Sequence, residues 1–196
     1  MKTKLLSILL LLIAFKSISQ NVTQLLATTK QLYTANYEMD FETIISLSYP
    51  KMVETIGKEV MLDQLDKSYQ NEMYRLRYQL ETVPFITSKI QKIGNQSFCV
   101  ITCRNPVRYF FEEKIPNETV ALMHATMLEG INNNKEVVFE PKRNSFNVKR
   151  NTTYLAVFDE TTNGDWKFFN LDDDNQKAVF QTLFDEKTKT ALGLNK

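Results

Sequence analysis

The sequence predicts an α+β chain in which N-terminal helices pack on an antiparallel sheet and a last helix follows the sheet. Three observations carry this. Between Val22 and Leu80 apolar residues recur at three-to-four spacing, the period of a helix buried on one side. After Pro84 the texture changes to short runs rich in Phe, Ile, Val and Thr, separated by Gly94-Asn95 and Asn105-Pro106. Near the end, Tyr154–Asp159 and Trp166–Leu171 flank a loop containing Asn163-Gly164, a pair that accepts positive φ at low cost and so makes a hairpin.

Residues 1–19 read as a secretory leader. Lys2 and Lys4 form a positive start, Leu5–Phe15 is almost wholly apolar, and Ser17-Ile18-Ser19 supplies small residues for cleavage before Gln20. The run is short for a bilayer span, and no Cys follows it to carry a lipid, so no membrane anchor is expected. The expected product is exported, to the periplasm or the medium, as one domain over residues 20–196. Loss of Lys2, Lys4 and Lys16 with the leader takes the formal charge from +1 to −2. That balance gives no electrostatic reason to expect nucleic acid as partner.

In chain order, Val22, Leu25, Leu26, Thr29, Leu32 and Tyr33 make the stripe of a first helix. Asp40 is placed to cap a second, with Phe41, Ile44, Ile45 and Ser48 inward. Pro50 ends it, and a further turn with Met52, Val53 and Ile56 stops at Gly57. A long helix is expected over 58–80, with Leu62, Leu65, Tyr69, Met73, Leu76 and Leu80 on one face and an Asp63–Lys67 pair on the other. Strands are expected over 85–93, 97–104, 107–112, 137–140 and 146–150; over 118–130 Ala, Leu and Met favour a helix, while flanking strands and the lack of a helical stripe favour a strand, which is the reading preferred. Tyr154, Ala156 and Phe158 point one way and Leu155 and Val157 the other, so this part of the sheet wants cover on both faces. The helices can cover one; the other asks for a second subunit, an insertion or a partner. Asp174 is expected to cap a last helix carrying Ala178, Val179, Leu183 and Phe184, with a frayed tail from Lys187.

Cys99 and Cys103 lie four residues apart in a β-rich run. Four strand residues span roughly 13 Å, whereas a disulfide needs Cα atoms within about 7 Å. Two buried, reduced thiols on one sheet face are therefore expected.

The order of helix, short helix after Asp40-Phe41-Glu42, Tyr49-Pro50 break, long helix and sheet ending in Asn163-Gly164-Asp165-Trp166-Lys167 resembles the nuclear-transport-factor-2-like (cystatin-like α+β) superfamily. Within it, the chain is most similar to small exported proteins of Bacteroidetes bacteria. The resemblance implies a cone in which helices wrap a strongly bent antiparallel sheet, a pocket at the wide end, and frequent dimerisation through the outer sheet face. The superfamily includes isomerases, dehydratases and many non-catalytic members, so fold alone selects no function.

His124 is the single histidine, which excludes His-rich metal sites and the H-E-x-x-H motif. It is a candidate general base, although a lone His between Met123 and Ala125 is more commonly structural. Asp159 is a candidate acid–base group, set against an ordinary turn role, and Tyr154 is the third catalytic candidate. A nucleophile pairing His124 with Cys99 or Cys103 is outweighed by their reading as small buried hydrophobes. Tyr69, Met73 and Tyr109 are the candidate ligand-binding residues. Asp172-Asp173-Asp174 lacks the Gly and distal Glu of a calcium loop and reads as helix capping. Lys142-Arg143 and Lys149-Arg150 read as a solvated hairpin tip, with a weaker option of an acidic or glycan ligand beside Phe139 and Phe146. No cofactor or metal is expected. The expectation is a non-catalytic module holding a small apolar or amphipathic ligand in its cone, with a homodimer through the outer sheet face as the candidate assembly. An isomerase- or dehydratase-type enzyme and an interaction module using the outer sheet face are the alternatives.

Overall fold

The computed structural model describes residues 22–81, 85–132 and 136–195, and within them the chain is α+β, with seven α-helices and two antiparallel sheets. The leader, its cleavage point and Pro84 lie outside the described residues. Helix α1 is described over 22–38. Met39 then turns left-handed at φ 59°, and the Asp40 N–H donates back to the Ala35 carbonyl at 2.9 Å. The same Asp40 caps α2 (Phe41–Leu47), accepting from the Thr43 N–H at 3.0 Å. Helix α3 (Pro50–Ile56) starts on its proline and ends at Gly57, whose φ of 93° opens α4 (Lys58–Tyr69) in a new direction.

The long helix expected over 58–80 stops early. The Asn71 side-chain oxygen accepts from the Met73 and Tyr74 N–H groups, which closes a turn in place of another helical turn. Strand β1 (Tyr74–Tyr78) follows, with Leu76 buried between the exposed Arg75 and the half-buried Arg77. The next strands are β2 (Ile86–Thr87), β3 (Gln91–Ile93), β4 (Gln96–Arg104) and β5 (Val107–Phe111). Residues 118–130, expected as a strand, belong to helix α5 (Glu118–Asn132), which buries Ala121 and Leu128. After it come β6 (Val137–Glu140), β7 (Ser145–Val148), β8 (Asn151–Phe158) and β9 (Lys167–Asn170). Helices α6 (Asp174–Leu183) and α7 (Glu186–Leu192) end the described chain. The α6 cap is Asp173, one residue before the expected Asp174. The tail expected to fray is instead helix α7, capped by Asp185 and closed at Gly193.

One sheet has the order β2-β4-β8-β9 with β3 beside β4, and the other β1-β5-β7-β6. They are joined by two strand pairs that keep a single register. Arg104 faces Asn151 in the first sheet and Val107 faces Val148 in the second; between them the Asn105 N–H donates to the Arg150 carbonyl at 2.8 Å. The Gln79 N–H reaches the Pro106 carbonyl at 2.9 Å and extends the β1–β5 ladder to the same point.

Alternation therefore runs unbroken through this junction. Cys99, Ile101, Cys103, Asn105, Val107, Tyr109 and Phe111 are all buried on one face, opposite Phe146, Val148, Thr152, Tyr154 and Ala156. Helices α1 and α2 cover the first-sheet part of that face with Leu25, Leu32, Tyr33, Ile44 and Leu47. Helix α5 and Tyr69 cover the second-sheet part. The opposite face of the first sheet, with Phe98, Leu155, Val157 and Phe169, is filled by Met52, Phe180, Phe184 and Leu192. Both faces of β8 are apolar, as alternation requires, and the chain's own α3, α6 and α7 supply the second cover. No second subunit is needed there. Each such fully buried side chain contributes roughly 1.5–3 kcal/mol. Both cysteines are free, buried and on the α1-facing side.

Candidate functional site

The junction between the sheets holds an inward cation. Asn105, 1% exposed, donates from Nδ2 to Thr152 Oγ1 at 3.0 Å, and its Oδ1 has no partner among the described residues. Opposite it, half-buried Arg150 donates from Nε to the Asn105 carbonyl at 3.3 Å, from Nη1 to Asn132 Oδ1 at 2.9 Å and from Nη2 to Tyr78 Oη at 2.9 Å. The guanidinium carbon also stands 5.3 Å from the centre of the Tyr78 ring. Among the described residues no carboxylate lies within ion-pair distance of it. Burial works against the Arg150 charge; Tyr78, Tyr109 and Tyr154 and the Asp172 carboxylate work for it, and the balance holds its pKa above the ordinary arginine value.

Three sequence candidates surround this cation. Tyr109 donates to Asn132 Oδ1 at 3.0 Å, and burial pushes its phenol up to about 12. Tyr69 packs its ring 5.4 Å from Tyr78 and donates to the Asn36 carbonyl at 2.8 Å; burial raises its pKa and that of Tyr154. None of these phenols ionises near neutral pH, so they serve as neutral hydrogen-bonding and packing groups. Beside them opens a polar pocket of about 480 Å³, lined by Gly130, Ile131, Asn132, Arg150, Asn151, Leu171, Asp172, Asp174 and Lys177.

Two further candidates share a different cleft. His124 is on α5, and its ring lies 4.4 Å from that of Phe111. A cleft of about 340 Å³ opens there, with Met73, Phe111, Ile115, Val120 and His124 among its walls and Glu72, Glu113 and Lys114 also lining it. Met73 is at this rim because it follows the end of α4, not because it lies on a helix face. Asn144, left-handed at φ 49°, fastens the loop wall by donating to the Phe111 and Glu113 carbonyls and accepting from the Ile115 N–H at 2.9 Å.

Asp159, 8% exposed, is a structural cap. Its carboxylate accepts from Tyr49 Oη and Gln96 Nε2, both at 2.7 Å, and from the Thr161 N–H and hydroxyl at 2.9 and 2.7 Å. Burial alone would raise its pKa; the bonds from Thr161, Gln96 and Tyr49 outweigh burial and lower it.

No family model, no curated protein and no solved structure matches this chain.

The three catalytic candidates thus occupy three places: Tyr154 at the junction, His124 in the cleft under α5, and Asp159 in the cap beside Tyr49. His124 and the thiols also fall in separate clusters, so no Cys–His pair forms. Asp172 accepts from the Thr153 N–H at 3.2 Å, and Asp173 caps α6. Among the described residues no three His, Cys, Asp or Glu side chains gather to hold a metal ion, and no helix is long and apolar enough to cross a membrane. Arg150 is the residue the sequence reading missed. Lys149 is solvated and pairs with Glu136, but Arg150 continues the inward alternation of Phe146 and Val148, and that period-two signal was present in the sequence.

Proposed function

We propose that this chain is an exported, non-catalytic module of the nuclear-transport-factor-2-like kind that holds a small amphipathic ligand between β5 and α5. The carrying observation is the cleft of about 340 Å³, within the size range of small-molecule sites, with apolar walls and both charge signs beside them. The cone reading draws support from two strand pairs that pass from sheet to sheet in one register, under helices that come first in the chain. The inner face of that sheet, however, is packed with Tyr69, Tyr109, Phe146 and Tyr154, so the ligand belongs in the cleft and not in the cone. Catalysis has less support, because it needs at least two of His124, Asp159 and Tyr154 in one pocket. Docking through an apolar outer sheet face also has less. The face of β1, β5 and β7 turned away from the core carries Arg75, Arg77, Arg108 and Asn147 around a half-buried Phe110, so it is largely polar.

The test is calorimetric titration with octanoate, decanoate and their alcohols, on the native protein and on Val120→Trp, which fills the cleft from a half-buried position. Binding that strengthens with chain length and disappears in Val120→Trp is expected. Absence of binding across the series, or binding unchanged in the variant, refutes the reading. Sequencing the N-terminus of the exported protein tests the leader, with Gln20 expected first.

A further inference from the structure

The cleft under α5 leaves the Arg150 pocket without a role. This second inference concerns different residues and does not rest on the first. An arginine carries five N–H donors, and three of those on Arg150 are matched by Asn105, Asn132 and Tyr78. Two remain on a side chain that forms the wall of a polar pocket of about 480 Å³. Its direct contacts are neutral oxygens and an aromatic face, which orient the fork; the Asp172 carboxylate acts on it across the pocket, beyond ion-pair distance. A planar cation held in a fixed direction by neutral groups is prepared to take a carboxylate in bidentate fashion.

The rest of the pocket restricts which carboxylate fits. Lys177 adds a second positive charge, and Asp172 and Asp174 add two negative ones, so the walls are balanced in sign. A phosphate or a dicarboxylate would place its extra negative charge against Asp172 and Asp174. A ligand with one carboxylate and one ammonium satisfies both halves. Asp172 accepts from the Thr153 N–H at 3.2 Å and from the Thr152 side chain, which position its carboxylate; with about four lone-pair sites on its two oxygens, acceptor capacity remains.

We infer that the pocket between the end of α5 and the start of α6 is a binding site for a zwitterionic amino-acid-like molecule. Its carboxylate pairs with Arg150 and its ammonium with Asp172. Asn151 on the pocket wall is available to a polar side chain on the ligand, whereas Asn132 is held by Arg150, Tyr109 and the Leu128 carbonyl.

The experiment is saturation-transfer NMR of the purified protein with mixtures of the standard L-amino acids. Calorimetry follows on each hit, on its N-acetyl and amide derivatives, and on inorganic phosphate. One or more free amino acids are expected to bind, and blocking either end is expected to weaken affinity by about tenfold or more, the effect of losing one charged contact. Arg150→Lys keeps the charge and loses the fork, and is also expected to weaken binding by about tenfold. Because Arg150 ties Asn105, Asn132 and Tyr78 together, Asp172→Asn at the exposed rim provides a variant that leaves those bonds intact; it is expected to weaken the free amino acid and spare its N-acetyl form. Val120→Trp in the other cleft leaves this binding unchanged. No binding by any amino acid, binding indifferent to Asp172→Asn, or binding of phosphate alone overturns the proposal.

Discussion

Replacing Asp159 with Asn tests how a buried carboxylate ties the β8–β9 hairpin to α3. The carboxylate takes four hydrogen bonds, from Tyr49, Gln96 and twice from Thr161, and the Tyr49 ring is 1% exposed. Bonds to a charged acceptor are each worth about 1.5–3 kcal/mol, against about 1 kcal/mol for neutral ones. Asn retains one carbonyl oxygen and presents an NH₂ where the second oxygen stood, so two of the four donors lose their acceptor. A destabilisation of about 3 kcal/mol is expected, which for a chain of this size is roughly 6–12 °C in Tm. Urea unfolding followed by fluorescence of the fully buried Trp166 measures it, and the cycle with Tyr49→Phe isolates one pair, expected at about 1.5–3 kcal/mol. The pH dependence has a definite direction. The Asp159 pKa is lower in the folded state, so its contribution is complete above the unfolded value near 3.9 and is lost as pH falls through the folded value below it. The stability gap between native protein and Asp159→Asn should be flat from about pH 5 to 7 and close below about pH 4. A coupling under about 0.5 kcal/mol, or a gap that widens on acidification, refutes the reasoning.

Burial pushes the Cys103 thiol up to about 11 and also raises Cys99, so neither should react with an aromatic disulfide at pH 8 until the protein is unfolded; fast labelling of the native protein would place a thiol at the surface. Met39 occupies a left-handed position at φ 59° with its side chain 40% exposed, so Met39→Gly should stabilise the fold by about 1 kcal/mol. A loss of stability in that variant, read from the urea midpoint, would mean that packing of the Met39 side chain outweighs the backbone strain.

Where one physical signal acted alone, the sequence was readable. Asp40, Gly57 and the Asn163-Gly164 hairpin each announce a local geometry, and each stands where expected. The reading failed where two periods overlap. Over 73–80, Met73, Leu76 and Leu80 fit a helix, while Tyr74-Arg75-Leu76-Arg77-Tyr78 alternates as a strand. Local spacing has no way to choose between them, and pairing with β5 decides for the strand. In α5 the inward stripe is Ala121 and Leu128, both buried, with half-buried Ala125 between them, but exposed Leu122, Met123 and Ile131 hide it by making the segment apolar all round. The site residues follow the same rule. Tyr69, Tyr109 and Tyr154 were legible as inward aromatics, whereas their convergence depends on the register carried across Asn105-Pro106, which no local pattern encodes.

That junction also explains why polar chemistry collects at an otherwise apolar face. Pro106 has no N–H, so the ladder crosses it only through its carbonyl, bonded by Gln79, and through the Asn105–Arg150 backbone bond on the other side. An apolar pair at 105 and 150 would fill the space without the burden of desolvation. The chain instead places an amide and a guanidinium there, both turned inward by alternation. It then surrounds the cation with Tyr78, Tyr109 and Asn132, none of which can neutralise it. Replacing buried charges with well-packed apolar groups is often neutral or stabilising, so stability is a poor reason for Arg150 to be present. Its ties to neutral neighbours fix the direction of the guanidinium, and two donors are left over on a side chain that lines the pocket. The same surroundings that fail to cancel the charge hold it ready for a carboxylate arriving from the pocket.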